Sequence, residues 1–385
     1  MKMTKRLTSI GLLPFIMIGT MGCGSDEPNT PLVFPTPGAD GFGSWEVGYR
    51  HSSAIDRLRS RELPIDIWYP VDSEDAVGER ARYLLLPPLG PDAEIAFDAP
   101  HVSDETNRKL IVFSHGSNSI SLQSTLLMEM LASHGFIVVA PEHLGNSQSS
   151  SGDSFDVSSV NRVEDVSFII DYFLAGADNA ADFSNKIDPL MVGVAGHSFG
   201  GHTTMGTAVG WNGAMADDRV KAIAPISGTL SNYSESELAM LDIPVFLLGG
   251  TLDDAVPVSN NDYARQQTTS TVYQTDIIGA THTQFANVCA IGDWLIDNLN
   301  ISSESWTTIG ASALVEPYEE SCLGLGVIND EETLRLQNTF LVSFFNKHLQ
   351  NMPEYSVYLT HEYAKTEASV NFCTHSDSNP CTPLP

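Results

Sequence analysis

Basic residues are scarce in this chain. Lys and Arg number 19 against 48 Asp and Glu, a formal charge of −29 at pH 7. Such a chain repels phosphate backbones, which argues against nucleic acid as a partner. The acids are scattered rather than gathered in one block, so they read as a solvated surface. Metal-ligand spacings are also missing: there is no C-x-x-C pair and no H-E-x-x-H, so no metal site is expected. Heptads and internal repeats are absent. What is present is enough apolar material for a sizeable core, 42% of 385 residues, so disorder is not the default and one large α/β domain or two small ones fit.

The N-terminus reads as an address. Lys2, Lys5 and Arg6 form a basic start, and Leu7 to Met21 is largely apolar but too short for a membrane span. Residues 1–22 are therefore expected to be a signal peptide. Thr20-Met21-Gly22-Cys23 is similar to a bacterial lipoprotein box, with Thr where Leu is usual. Lipidation of Cys23 would anchor the chain to a membrane of the bacterial cell envelope, periplasmic or outer; plain cleavage and secretion is the alternative. Residues 23–44 read as a flexible tether, since Asp26 to Ser44 holds four Pro and three Gly. With Cys23 set aside, Cys289, Cys322, Cys373 and Cys381 remain. An even number in an oxidising compartment implies two disulfides, and three pairings are possible. Cys289–Cys322 and Cys373–Cys381 are favoured because they close the shorter loops.

Further along, apolar runs alternate with helical spacing. Trp45–His51 reads as a first edge strand, Arg61–Pro70 as a second strand, and residues 71–107 as weakly structured. Leu110–Phe113, Phe136–Pro141, Met191–Ala195, Val220–Pro225, Pro244–Leu248 and Val272–Ile278 are further strands, the last closing the sheet. Helical patterns lie over Leu122–Leu131 and Val163–Leu174. Asn329-Asp330-Glu331-Glu332 resembles a capping box opening a long helix. The alternation predicts an α/β fold with a doubly wound, mostly parallel sheet flanked by helices. The catalytic domain is placed at 45–350, with 351–385 a C-terminal tail.

One stretch organises the rest. Val192–Ala195 runs straight into Gly196-His197-Ser198-Phe199-Gly200-Gly201, a G-x-S-x-G after a buried strand. This is the nucleophile-elbow pattern, in which a tight strand-to-helix turn lifts a serine hydroxyl into a cleft. Gly196 and Gly200 let the backbone crowd that turn. A serine hydroxyl needs a base, and the base needs an acid to fix its tautomer. The expected chain order is Ser, acid, His. Asp253 and Asp254 both follow the strand at Leu247-Leu248, and His282 alone among 11 histidines follows the last strand in the required order. The amides of Phe199 and Ser117 are the expected oxyanion donors. No cofactor is needed by such a set.

Several segments together resemble the plasma-type (group II) platelet-activating-factor acetylhydrolases of the α/β-hydrolase superfamily, and their bacterial relatives labelled as predicted dienelactone hydrolases. They are Ile111–Gly116, Leu131–Val138, Pro141-Glu142-His143 and Gly196–Gly201, with Arg61–Pro70 matching the bacterial relatives. Gly279-Ala280-Thr281-His282 is similar to the cutinase-like polyester hydrolases. The superfamily's Gly-x-x-Asp-x-x-Val-Pro spacing selects Asp253 over Asp254. The resemblance implies a serine esterase with Ser198 as nucleophile, Asp253 as acid and His282 as base. Its substrate would be a small-molecule or lipid ester, with a polyester as the alternative. A catalytically silent surface lipoprotein is a further, weaker alternative. Residues 290–328 have no match and are expected either to wall the cleft or to form a surface excursion. Oligomeric state is not legible.

Overall fold

The computed structural model describes residues 32–377 and 380–382. The expected signal peptide and Cys23 lie outside the described residues. Two units divide the chain, Met1–Val33 and Phe34–Pro385. Of the first, only Leu32 and Val33 are described, and neither lies in a helix or strand.

Among the described residues, the second unit is built on one sheet of 11 strands. In chain order these are β1 (Glu46–Asp56), β2 (Arg61–Val71), β3 (Arg80–Arg82), β4 (Asp92–Asp98), β5 (Arg108–Ser114), β6 (Ile137–Pro141), β7 (Ile187–His197), β8 (Val220–Ile226), β9 (Val245–Gly250), β10 (Val272–Ile277) and β11 (Val370–Thr374). The spatial order is β11-β10-β9-β8-β7-β5-β6-β2-β1-β4-β3. From β6 to β10 every neighbouring pair is parallel. These strands are near-continuous apolar runs because helices cover both faces of a parallel sheet. One pair of covering helices is Phe155–Ala175 with Phe199–Val209, and the other is Thr125–Ser133 with Asp330–His348. Val166, Ile169, Phe173, Met205 and Val209 join Leu110, Val112, Val192 and Val194 in one core. In the other helix pair, Phe340 and Phe344 pack on Phe246 of β9.

The strand order differs from the sequence reading at both ends. Trp45–His51 does not mark an edge: β1 lies between β2 and β4, and the weakly patterned stretch before β5 supplies β3 and β4 beyond it. Val272–Ile277 is not last, since β11 adds antiparallel to β10. Val370–Thr374 of the expected tail thus contributes to the sheet rather than trailing from it. The expected tether also ends sooner, because residues from Phe34 onward belong to the main unit. Phe34 packs at a tilt on Tyr358 and edge-on against Tyr363, and the Ala39 and Gly43 amides donate to Tyr358 and Ser133 hydroxyls at 3.2 and 2.8 Å. Pro and Gly content gave no warning of these captured amides.

Asn329 does cap the long helix, its Oδ1 accepting from the amides of Glu331 and Glu332. The box is only half closed, because the Glu332 carboxylate turns to Arg335 instead.

Candidate active site

The carboxyl ends of β5, β7, β9 and β10 meet at one cleft, where ligands sit in open parallel sheets. Ser198 occupies the turn between β7 and the helix Phe199–Val209, with φ 59° and ψ −119°. A non-glycine residue there is strained, and the surroundings must hold it. Its amide donates to Ile226 O at 2.8 Å. A Cβ on Gly200 would overlap the Ser114 carbonyl oxygen, and one on Gly196 would overlap Gly200 O. These two glycines are therefore demanded by close backbone approach.

Behind β10, the loop reaching His282 aims its ring at Ser198, with Nε2 2.9 Å from Oγ. Behind β9, Asp253 puts Oδ2 2.8 Å from His282 Nδ1. The other Asp253 oxygen accepts from the Val256 amide at 2.6 Å. An ionised Asp253 accepts the Nδ1 proton, leaving Nε2 as the acceptor for the serine hydroxyl. Asp253 is buried, whereas its neighbour Asp254 is exposed. The structure thus brings Ser198, His282 and Asp253 into one hydrogen-bonded line and leaves Asp254 outside it. Among the described residues, neither the Ser117 nor the Phe199 amide has a hydrogen-bond partner.

Two side chains that the sequence did not mark tie this site together. Gln123 accepts from the Gly116 amide through Oε1 at 2.8 Å. Its Nε2 therefore faces His197 Nδ1, at 3.2 Å. That fixes the His197 tautomer, so Nε2–H donates to the His282 carbonyl at 2.9 Å. Burial, and then the neighbouring His282, push His197 down to about 3, so it stays neutral. A continuous chain of hydrogen bonds runs from the loop after β5 to the backbone of His282.

Arg162 is the second. It is fully buried and donates to the carbonyls of His115 and Gly116 at 2.6 and 2.9 Å, and to Asn146 Oδ1 at 3.0 Å. Its guanidinium carbon stands 4.6 Å from the centre of the Phe199 ring. Burial lowers it to about 9. His115 braces the same loop: its Nε2 accepts from the His143 amide, so Nδ1–H donates to Gly116 O at 2.7 Å.

A second Ser-His-Asp line lies beneath. Ser114 Oγ is 2.9 Å from His143 Nε2, and His143 Nδ1 is 3.1 Å from Asp165 Oδ2. All three residues are 0% exposed. No substrate reaches them, and Arg59 and Arg61 also hold Asp165. Burial pushes His143 down to about 4, so its ring stays neutral and the line braces the loop from beneath.

Residues 288–328 form a cap with its own small core around Trp306, Leu295 and Tyr318. Cys289 is bonded to Cys322 in that cap, and Cys373 to Cys381 next to β11. Ser321 accepts from Thr281 at 2.6 Å and lies 2.7 Å from Thr283, so the cap grips the residues on both sides of His282. A cavity of about 370 Å³ opens on Ser198 and His282. Cap residues Ile291, Leu295, Ala311 and Leu314 give it an apolar wall, and Ser117, Asn118 and Gln148 line it with polar groups. Of residues 290–328, left open between a cleft wall and a surface excursion, Ile291, Leu295, Ala311, Ala313, Leu314 and Pro317 line this cavity.

Comparison with known proteins follows the same core. Residues 95–253 match the family model described as Chlorophyllase. The cutinase est1 of Thermobifida alba is 29% identical over 153 residues, a match that spans 39% of this chain and 44% of that protein. A ferulic acid esterase from Streptomyces cinnamoneus superimposes with a TM-score of 0.61 at 22% identity, covering 79% of this chain and 90% of that one. By its sheet, its elbow and this structural match, the chain has the α/β-hydrolase fold, and between residues 95 and 253 it is similar to the chlorophyllase family.

Proposed function

We propose that this chain is a serine hydrolase cleaving carboxylic esters through an acyl-enzyme. The observation that carries the proposal is the line Asp253–His282–Ser198 opening on a walled cleft. Ser198 Oγ attacks the carbonyl carbon as His282 Nε2 takes its proton. Asp253 stabilises the imidazolium that forms. The oxyanion is met by the Ser117 and Phe199 amides. Collapse breaks the bond to the alcohol oxygen, which leaves with the proton from His282. Water then attacks the acyl-enzyme by the same route and frees the acid. The similar proteins are by name a cutinase and a ferulic acid esterase, which supports ester cleavage.

The finer reading is a small ester with a short acyl group, in keeping with the segments that resemble the platelet-activating-factor acetylhydrolases. The apolar cap wall favours it over a polyester, because a polymer chain needs an open groove. A series of p-nitrophenyl esters beside polyester film tests this. Short-chain esters are expected to be turned over fastest. Film hydrolysis outpacing them would favour the cutinase-like alternative. Export through residues 1–22 and lipidation of Cys23 stay part of the proposal. Fatty-acid labelling with and without Cys23 tests the anchor.

A further inference from the structure

A second cavity, of about 900 Å³, lies beside the Ser198 cleft. The two share Leu85, Ile120 and Gln148 as lining, so they are adjoining parts of one surface. Their chemistry differs. The cleft is apolar on its cap side, whereas the second cavity sets Arg50, His51, Asp98 and Glu142 beside apolar residues such as Leu84 and Ile120. At its base Asp66, only 1% exposed, accepts from the Tyr49 and Ser121 hydroxyls, each at 2.5 Å, and stands 2.9 Å from His51 Nδ1. That buried carboxylate fixes three groups of the wall, so the cavity is built rather than left over.

We propose that this groove receives the alcohol half of the ester and that the alcohol is a polyol, such as a sugar unit. The proposal rests on the Ser198 reading above. An ester carbonyl at Ser198 has two substituents, and the site has two adjoining compartments. The acyl chain suits the apolar cap wall. The alcohol is then left with the second groove, whose carboxylate and guanidinium edges lie beside apolar residues, a mixture that suits the hydroxyls and the apolar face of a sugar ring. Carboxylates outnumber guanidiniums, with Asp98, Glu142, Asp178 and Asp182 against Arg50 and Arg82, which disfavours an alcohol bearing phosphate. The aromatic ring among the lining residues, Tyr49, is itself buried, so no cage for a quaternary ammonium is present there. Hydroxyls suit both signs: they donate to carboxylates and accept from arginine and amide N–H groups.

Two measurements on the full chain test this. In the first, cellobiose is titrated into wild type and into the double variant Asp98→Asn, Glu142→Gln. Binding is expected in wild type and is expected to weaken roughly tenfold in the variant, the worth of about one net hydrogen bond. In the second, kcat/KM is compared for an ethyl ester and a glucose ester of the same acid. Wild type is expected to prefer the glucose ester by roughly tenfold or more, and the double variant to lose most of that preference. Absence of cellobiose binding, equal rates on the two esters, or tighter binding of phosphocholine than of cellobiose overturns the proposal. If p-nitrophenyl acetate is still cleaved, the Ser198 reading survives that failure. Cellobiose binding to a protein that turns over no ester overturns both.

Discussion

At the scale of single residues, the chemistry turns on which acid faces His282. Asp253 meets Nδ1 at 2.8 Å and is buried, and Asp254 is exposed. Asp253→Asn is expected to lower kcat by roughly 10⁴, as loss of the tautomer-fixing carboxylate does in serine proteases. Asp254→Asn is expected to stay within about twofold, because an exposed substitution away from such features changes little. Steady-state kinetics on p-nitrophenyl acetate separates them, and the reverse order would move the acid by one residue. Gln123→Leu removes the link between the Gly116 amide and His197. It is expected to lower kcat by about tenfold with KM nearly unchanged, a fraction of what a lost oxyanion donor costs; a change in KM alone would make Gln123 a substrate contact. Ser198, Asp253 and His282 were legible because each follows a strand end in a fixed order. Gln123 and Arg162 were not, because their importance lies in what they touch once folded. Arg162 interrupts the apolar pattern and hid the first turns of its helix, which starts at Phe155 behind a Ser154 cap. Charged residues among the apolar positions of the helix's buried side, Arg162 and Asp165, were the available signal.

The elements divide in the same way. Strands buried on both faces are short apolar runs and could be read directly, from Leu110–Phe113 to Val272–Ile278. The strands that escaped notice lie outside the parallel core. β3 has three residues, with one of them buried, and β4 mixes exposed and buried positions without a clean period. β11 has a buried, apolar-rich sequence but stands beyond the long helix, where sequence order suggested the sheet had ended. The cap shows what local patterning cannot give. Its short helices cover Ser198 through a separate core, the Cys289–Cys322 bond and the contacts of Ser321 with Thr281 and Thr283. That bond spans 33 residues, so a loop-entropy estimate puts its removal at about 4 kcal/mol. The double variant Cys289→Ala, Cys322→Ala is expected to lower the unfolding temperature. Because the cap also holds Thr281 and Thr283 through Ser321, turnover should fall at temperatures where the rest of the fold persists. Unchanged activity up to the main unfolding transition would mean the cap is held without the bond.

For the whole molecule, charge and buried histidines set the response to solvent. A formal charge of −29 opposes compaction, so added salt is expected to raise the thermal midpoint at pH 7 by screening that repulsion. Burial holds His115, His134, His143, His197, His202 and His348 below the ordinary histidine value. The unfolded chain takes up these protons near pH 6.5, while folded His143, His202 and His348 wait until about 4 and His197 until about 3. Between those values the unfolded state binds more protons, so stability rises with pH and is lost as pH falls. Glu129, Asp276 and Asp330 are shifted upward and act in the opposite sense, but they are three against six. The thermal midpoint is therefore expected to drop as pH is lowered from 6.5 toward 4, and a flat profile would show that these histidines are reached by protons in the folded state. The central claim, that Ser198 is the residue that opens the ester, is tested most directly by turnover of p-nitrophenyl acetate by Ser198→Ala beside wild type, with thermal unfolding of both. Turnover is expected to fall to background while the unfolding midpoint hardly moves. Substantial residual turnover in a folded Ser198→Ala protein would contradict it.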